Sequence, residues 1–466
     1  MRSVLTVERL QGDLILLSIL IGIAGIVLTI LLVVGVHEFG HFITARLVGV
    51  KVLRFSIGFG KALYRRTDKQ GTEYVLAAIP LGGYVKMLDE DEAPVSPKDQ
   101  HRAYNRQPLY KKFLIVIAGP FTNLVFAFAI YWLLFVIGFV TVAPIIGKVI
   151  PQSIAANAGL APQQEITQID HTPVNSWMSA AIRILFHAGD KDQMHLQTNS
   201  LQNHEQKNYS LDLSHWQLDS LKPDPLTSLG IIPYEPTVPA IIGTIAENSP
   251  AARSNLKPGD TILKMGNTPI NQWQDILIAV EKNPNATLPF IIKRNEKTQT
   301  LAVQIGEQPN ASGNKQGYLG IASNFEWPKN LLRENKYNPI SALFPAWQNT
   351  YDFTLLNLVV FGKLITGKVS VKSLGGPITI FQSAGTALNH GIIPFLSFLA
   401  FLSIAIGMIN ILPIPGLDGG HVLFQAIELV TRRPVSLRVQ SLMYRLGILF
   451  LFVMLFQAVM NDVMRL

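Results

Sequence analysis

At 466 residues the chain is long enough for two to four folding units. Only 15% of its residues are charged and its mean hydropathy is +0.29, values of a membrane protein rather than a soluble or disordered one. It has no cysteine, which excludes disulfides, thiolate nucleophiles and sulfur-bound zinc, and its net charge of +8 reads as membrane orientation, not nucleic-acid binding.

A bilayer core takes about 20 apolar residues as helix. Leu14 to Val36, uncharged over 23 residues, predicts a first span; it is too long for a signal peptide and shows no small-residue cleavage site. It leads into His37-Glu38-Phe39-Gly40-His41. On a helix, positions i and i+4 share a face, so both imidazoles reach one ion. Glu38, turned by about 100°, reaches a water on that ion without ligating it. Zinc lowers the pKa of such a water towards about 7, and the glutamate can take its proton. The bland alternative is two histidines bonded to a neighbouring helix or lying in the interface.

Residues 51 to 112 include "RFSIGFGKALYRRTDKQGTEYVLAAIPLGGYVKM", an alternating stretch rich in Gly, Val, Ile and Tyr. It predicts β-hairpins that offer an edge to an extended peptide. Residues 47 to 112 carry twelve Lys and Arg, which places this loop in the cytoplasm by the positive-inside rule. Phe113 to Val142, uncharged for 30 residues, is the second span. Within it Asn123, in "AGPFTNLVFA", either contacts a substrate carbonyl at an oxyanion site or bonds a neighbouring helix.

Residues 145 to 177 and 241 to 273 align without a gap at an offset of 96, sharing Ile-Ile-Gly, Ser-x-Ala-Ala, Leu-x-Pro, Thr-Pro and Asn-x-Trp. Two copies are too few for a solenoid, so each is a small domain, placed at 143–236 and 237–326. Both look like bacterial PDZ domains, which bind peptides by strand addition; the alternative is a pair of steric gates with no ligand. The second copy is the better match, with Pro258-Gly259-Asp260 where the first has Pro162-Gln163-Gln164. In a membrane-proximal region, 327–390, Phe353 to Gly367 is apolar but short and interrupted by Lys363, and reads as a helix lying on or against the membrane.

The third span, Gly391 to Leu417, runs into "NILPIPGLDGGH", residues 410 to 421. Pro413 and Pro415 cannot continue a helix. Their freed backbone either lines a polar cavity, where with Asn410 it pairs with an unwound substrate, or merely ends the helix. The first span runs inward, the second outward and the third inward, so this motif and His37 meet at one membrane face. A third metal ligand belongs here, and both Asp418 and His421 are suitable. A turn with Arg432, Arg433 and Arg438 (418–440) precedes the last span, Leu446 to Met460 within 441–466, with Arg445 at its edge. The remaining segments are 1–50, 51–112, 113–142, 327–390 and 391–417.

Together these motifs resemble the site-2 protease family of zinc intramembrane metalloproteases, and within it the bacterial members with two tandem PDZ domains. H-E-x-x-H alone is moderately specific; followed by N-x-x-P-x-P-x-L-D-G-G in a later span it is very specific, and the resemblance covers nearly the whole chain. It implies a multi-pass α-helical membrane protein with four transmembrane helices, a membrane-associated β-rich loop and two periplasmic PDZ-like α+β domains. One Zn2+ per chain would be held by His37, His41 and Asp418, with Glu38 as base and Asn410, Pro413 and Pro415 clamping substrate. The resemblance further implies a bacterial inner-membrane protein with its active site towards the cytoplasmic side. Its substrate would be a transmembrane protein already trimmed by another protease, typically an anti-sigma factor of the envelope stress response, with remnant signal peptides as a second class. The PDZ pair would exclude untrimmed substrates by size. A scaffold holding peptides has no use for a buried acid–base–metal cluster, and a transporter is disfavoured by the lack of an inverted repeat.

Overall fold

The computed structural model describes residues 2–91, 93–219, 223–309 and 315–465; side chains of residues 2–21, 23, 80 and 81 lie outside the description. The chain divides into two compact units. One comprises Met1–Pro144, Val149–Ile232 and Arg333–Leu466, and the other Ile145–Lys148 and Pro233–Leu332.

In the first unit, α1 (Arg2–Leu47) is followed by β1 (Val52–Thr67), β2 (Glu73–Met87) and α2 (Leu109–Ile137). The histidine motif lies inside α1, not at its end as expected. The sequence "HEFGHFITARL" contains no helix breaker, so the helix runs on ten residues beyond His37 to Leu47. Side chains of the expected span from Leu14 to Ile21 lie outside the described residues. The two strands fold back on themselves. Residues 54–57 pair with 73–76 on one flank and with 83–86 on the other, and 62–67 close the far side against 73–77. Four runs therefore share one sheet, with 83–87 at one edge. Arg46, at the end of α1, grips the turn at Asp68 and Thr72, and its guanidinium lies 4.5 Å over the Phe42 ring.

Then come β3 (Phe139–Val142), β4 (Ile146–Val149) and the first repeat: α3 (Ile154–Asn157), β5 (Gln164–Ile169), β6 (Thr172–Pro173), α4 (Trp177–Phe186), β7 (Gln193–Ser200), β8 (Gln206–Asp212), α5 (Pro225–Leu229) and β9 (Ile231–Pro233). The second unit carries β10 (Ile242–Ile245), α6 (Pro250–Arg253), β11 (Thr261–Met265), β12 (Thr268–Pro269), α7 (Trp273–Glu281), β13 (Thr287–Arg294) and β14 (Lys297–Gln304). Strand order is β6-β5-β7-β8 in one and β12-β11-β13-β14 in the other. Ser153 and Ser249, 96 residues apart, cap their helices alike, accepting from Ala156 N at 3.2 Å and Ala252 N at 3.1 Å.

The copies differ at the Pro-Gly-Asp position. Asp260, wholly buried, forms a two-pronged ion pair with Arg294 at 2.6 Å and accepts from Lys257 N at 2.8 Å. Its counterpart Gln164 donates to Tyr209 Oη at 2.7 Å. In both copies this position is an internal brace.

Returning to the first unit, α8 (Leu343–Ile365) precedes α9 (Pro377–Asn389), α10 (Ile392–Ile411), α11 (Asp418–Thr431) and α12 (Leu437–Arg465). Four stretches among the described residues are long and apolar enough to cross a membrane: Ala24–Leu47, Leu109–Ile137, Ile392–Ile411 and Leu437–Arg465. The second and third end earlier than expected. Residues 139–142 form a strand, and α10 stops at Ile411 because Pro413 lacks the N–H a further turn needs. The last is far longer, at 29 residues, because polar groups at its far end find backbone partners in the segment before α9. Its apolar middle, including Ile448, Phe452 and Phe456, is exposed, as a lipid-facing surface requires.

Candidate active site

Three ligand atoms from two distant parts of the chain converge. His37 Nε2 lies 3.0 Å and His41 Nε2 3.3 Å from Asp418 Oδ2, and the two nitrogens are 3.2 Å apart. Among the described residues this is the one cluster of three His or carboxylate groups able to hold a metal ion. The i, i+4 spacing on α1 supplies the histidines. Asp418 arrives as the first residue of α11, immediately after the segment broken by the two prolines. Gly419 makes that arrival possible, since a Cβ there would stand 2.1 Å from the Leu412 carbonyl oxygen.

The donor set fits zinc. A tetrahedral ion with bonds of about 2.0–2.1 Å has ligand–ligand edges of about 3.3 Å, close to all three separations. Asp418 Oδ2 is buried and, although near both nitrogens, makes no hydrogen bond of regular direction. Lone pairs aimed at one shared point have that geometry. His41 Nδ1 lies 2.8 Å from the Ile115 carbonyl and donates its proton there, which leaves the Nε2 lone pair free for a metal.

Two glycines bring α2 this close. A Cβ on Gly40 would fall 2.4 Å from the Ala118 carbonyl, and one on Gly119 would fall 2.3 Å from His41 Nε2 and 2.9 Å from His37 Cε1. Neither glycine, nor Ile115, was singled out by the sequence reading. The signal was present in "HEFGH" and "AGP", but a backbone carbonyl acting on a distant ring leaves no side-chain trace. Glu38 is half-buried on α1, and its Cγ lies 2.8 Å from where a Cβ on Gly83 would stand. The edge run 83–87 of the sheet thus passes beside it.

The other expected residues are distributed unevenly. Asn410 is half-buried in the last turn of α10, Pro413 is exposed and Pro415 is buried in the broken segment. His421 sits beside Tyr444, whose Oη is 3.1 Å from Nδ1 and 3.2 Å from Nε2, and it is Asp418 that joins the histidines in the cluster. Asn123, expected either at an oxyanion site or bonded to a neighbouring helix, lies beside the metal cluster. It is wholly buried, with its amide 3.3 Å from His37 Nδ1, on the side of the ring away from the cluster.

Comparisons with known proteins agree with this chemistry. The model of Peptidase family M50 matches residues 25–454. The regulator of sigma-E protease of Salmonella typhimurium is 40% identical over 97% of this chain and 100% of its own length. The Escherichia coli protein of the same name is 39% identical with the same coverage. A protein named as a zinc metalloprotease from Vibrio cholerae is 38% identical over 93% of this chain and 96% of its own. With a family model spanning most of the chain and full-length relatives at this identity, the chain belongs to peptidase family M50, the site-2 type of zinc metalloprotease.

Proposed function

We propose that the chain cuts single-span membrane proteins within the bilayer, near its cytoplasmic face, using one Zn2+ held by His37, His41 and Asp418. The observation that carries this is the triangle of ligand atoms at 3.0, 3.2 and 3.3 Å. When bound, zinc supplies Lewis acidity and a water acidified to a pKa of about 7. Glu38 takes the proton of the attacking water and passes it to the leaving amide nitrogen. A helical segment hides its scissile carbonyl, so the substrate must be held extended. The edge run 83–87, beside Glu38, and the proline-broken segment with Asn410, Pro413 and Pro415 support that holding role.

The relatives' printed names place those proteins in sigma-E regulation; for this chain we propose, as the family resemblance implies, a membrane-bound anti-sigma factor already shortened by a first protease, with remnant signal peptides as a second class. The inner-membrane setting, with the two PDZ-like repeats periplasmic and the active site towards the cytoplasm, rests on the basic loop at 47–112. Gating by the repeats is favoured over peptide capture by the ion pairs that fasten the first repeat to α8. Arg183 meets Asp352 at 2.6 Å, and Lys363 meets Asp190 at 2.6 Å.

The test uses the full chain in detergent with a trimmed single-span substrate. Glu38→Gln is expected to keep its zinc and lose roughly 100- to 10,000-fold in rate. His37→Ala is expected to lose both metal and cleavage. Undiminished cleavage by Glu38→Gln would overturn the assignment.

A further inference from the structure

Asn123 is a polar side chain with nothing left for water to reach: it is wholly buried in the middle of an apolar helix. Its position is fixed from behind. Ser403 of α10 donates to the Asn123 carbonyl at 2.9 Å, and Gly407 is close enough that a Cβ there would lie 3.2 Å from Asn123 Cβ. In front, the amide meets His37 Nδ1 at 3.3 Å, and Oδ1 is buried with no hydrogen bond. Oδ1 and Nδ2 are near-isosteric ends of one planar group, and the choice between them is chemical.

Ile115, Gly119 and Asn123 follow one another at i, i+4 and i+8, so they form a single stripe on α2 facing the two imidazoles. At one end the Ile115 carbonyl accepts the proton of His41 Nδ1. His37 needs the same service. A neutral imidazole that gives its Nε2 lone pair to a metal carries its proton on Nδ1, and in an apolar interior that proton requires an acceptor. With Nδ2 turned to His37, the imidazole would hold its proton on Nε2, where the metal should be, and Oδ1 would stay unsatisfied. With Oδ1 turned to His37, the ring carries its proton on Nδ1 and leaves Nε2 for the metal.

We propose that Asn123 is a positioning residue of the zinc site: its Oδ1 accepts the Nδ1 proton of His37 and so fixes the tautomer and ring orientation that bind metal. The role rests on the zinc reading above and replaces substrate contact for this side chain.

The test is zinc affinity of the full chain in detergent, measured by competition with a chromogenic chelator and needing no substrate. Asn123→Leu, which removes the acceptor at similar volume, is expected to weaken zinc binding about 10- to 100-fold. Asn123→Asp, which can only accept when ionised, is expected to stay within a few-fold of the parent. Parental affinity in Asn123→Leu would overturn the proposal. So would loss of affinity in Asn123→Asp, which would mean that the amide donates; that variant decides the matter even if the leucine variant fails to fold. His37→Ala separates this idea from its foundation. If it too binds zinc like the parent, the ligand assignment falls and this role with it; if it loses zinc while Asn123→Leu keeps it, only this role falls.

Discussion

Asp68 shows how one carboxylate fastens the sheet to the first span. It receives the Arg46 guanidinium and the backbone N–H groups of Gln70 and Thr72, each of the latter at 2.9 Å. Burial acts to raise its pKa, but the Arg46 contact and the two backbone donors outweigh it and hold the carboxyl at about 2, below the ordinary 3.8. A depressed carboxylate stabilises the fold above its ordinary pKa and loses that contribution as pH falls towards the folded value. Asp68→Asn is therefore expected to lower the thermal midpoint at pH 7 and to make no difference near pH 2. An equal drop at both would contradict the linkage. At this scale the sequence was informative where side-chain chemistry is self-announcing. His37, Glu38, His41 and Asp418 could be named from spacing and resemblance, and the structure brings the two histidines and the aspartate together. Asn123 was legible as an anomaly but not as a neighbour of His37, because which face of one helix meets which face of another is set by packing between distant residues.

Among the elements, α9 is capped from outside itself. Gly376 N, Ile378 N and Thr379 N donate to the Asp462 carboxylate at 2.8, 2.8 and 3.1 Å, and Thr379 Oγ1 donates to it at 2.5 Å. Asn461 beside it donates to the carbonyls of Val371 and Leu374. The end of the last span thus satisfies the open N–H groups of another helix. Asp462→Ala would strand those donors, with an expected loss of about 2–4 kcal/mol, read as a lower thermal midpoint of the purified chain; no measurable change would refute the cap. Here the sequence misled in an instructive way. The expected span stops at Met460, whereas the helix carries Asn461 and Asp462 on to partners in the segment before α9. The repeat's gapless offset, by contrast, maps strand order to strand order and the Ser153 cap to the Ser249 cap. What hid was the fold of β1 and β2 into four runs, since alternation predicts strands but not which strand lies beside which.

Across the first unit as a whole, α8 ties the first repeat to the membrane helices. Lys363, which looked like an interruption in an apolar run, is buried and donates to Asp190 and to the Phe186 carbonyl; Lys368 adds a second contact to Asp190 at 2.8 Å. Removing this fastening by Asp190→Ala together with Arg183→Ala is expected to cost about 1–3 kcal/mol locally. Hydrogen exchange should show faster opening of Trp177–Phe186, and under the gating proposal the variant should admit untrimmed substrate. Unchanged protection of that helix would count against the fastening.

The middle of α8 packs on α2, where the Phe353 and Tyr131 rings stack at 5.9 Å with an interplanar angle of 6°. Tyr131 is eight residues along from Asn123, about 12 Å of unbroken helix. The helix that fastens the first repeat thus also rests on the very rod that steadies both imidazoles, so repeat and blade share one handle.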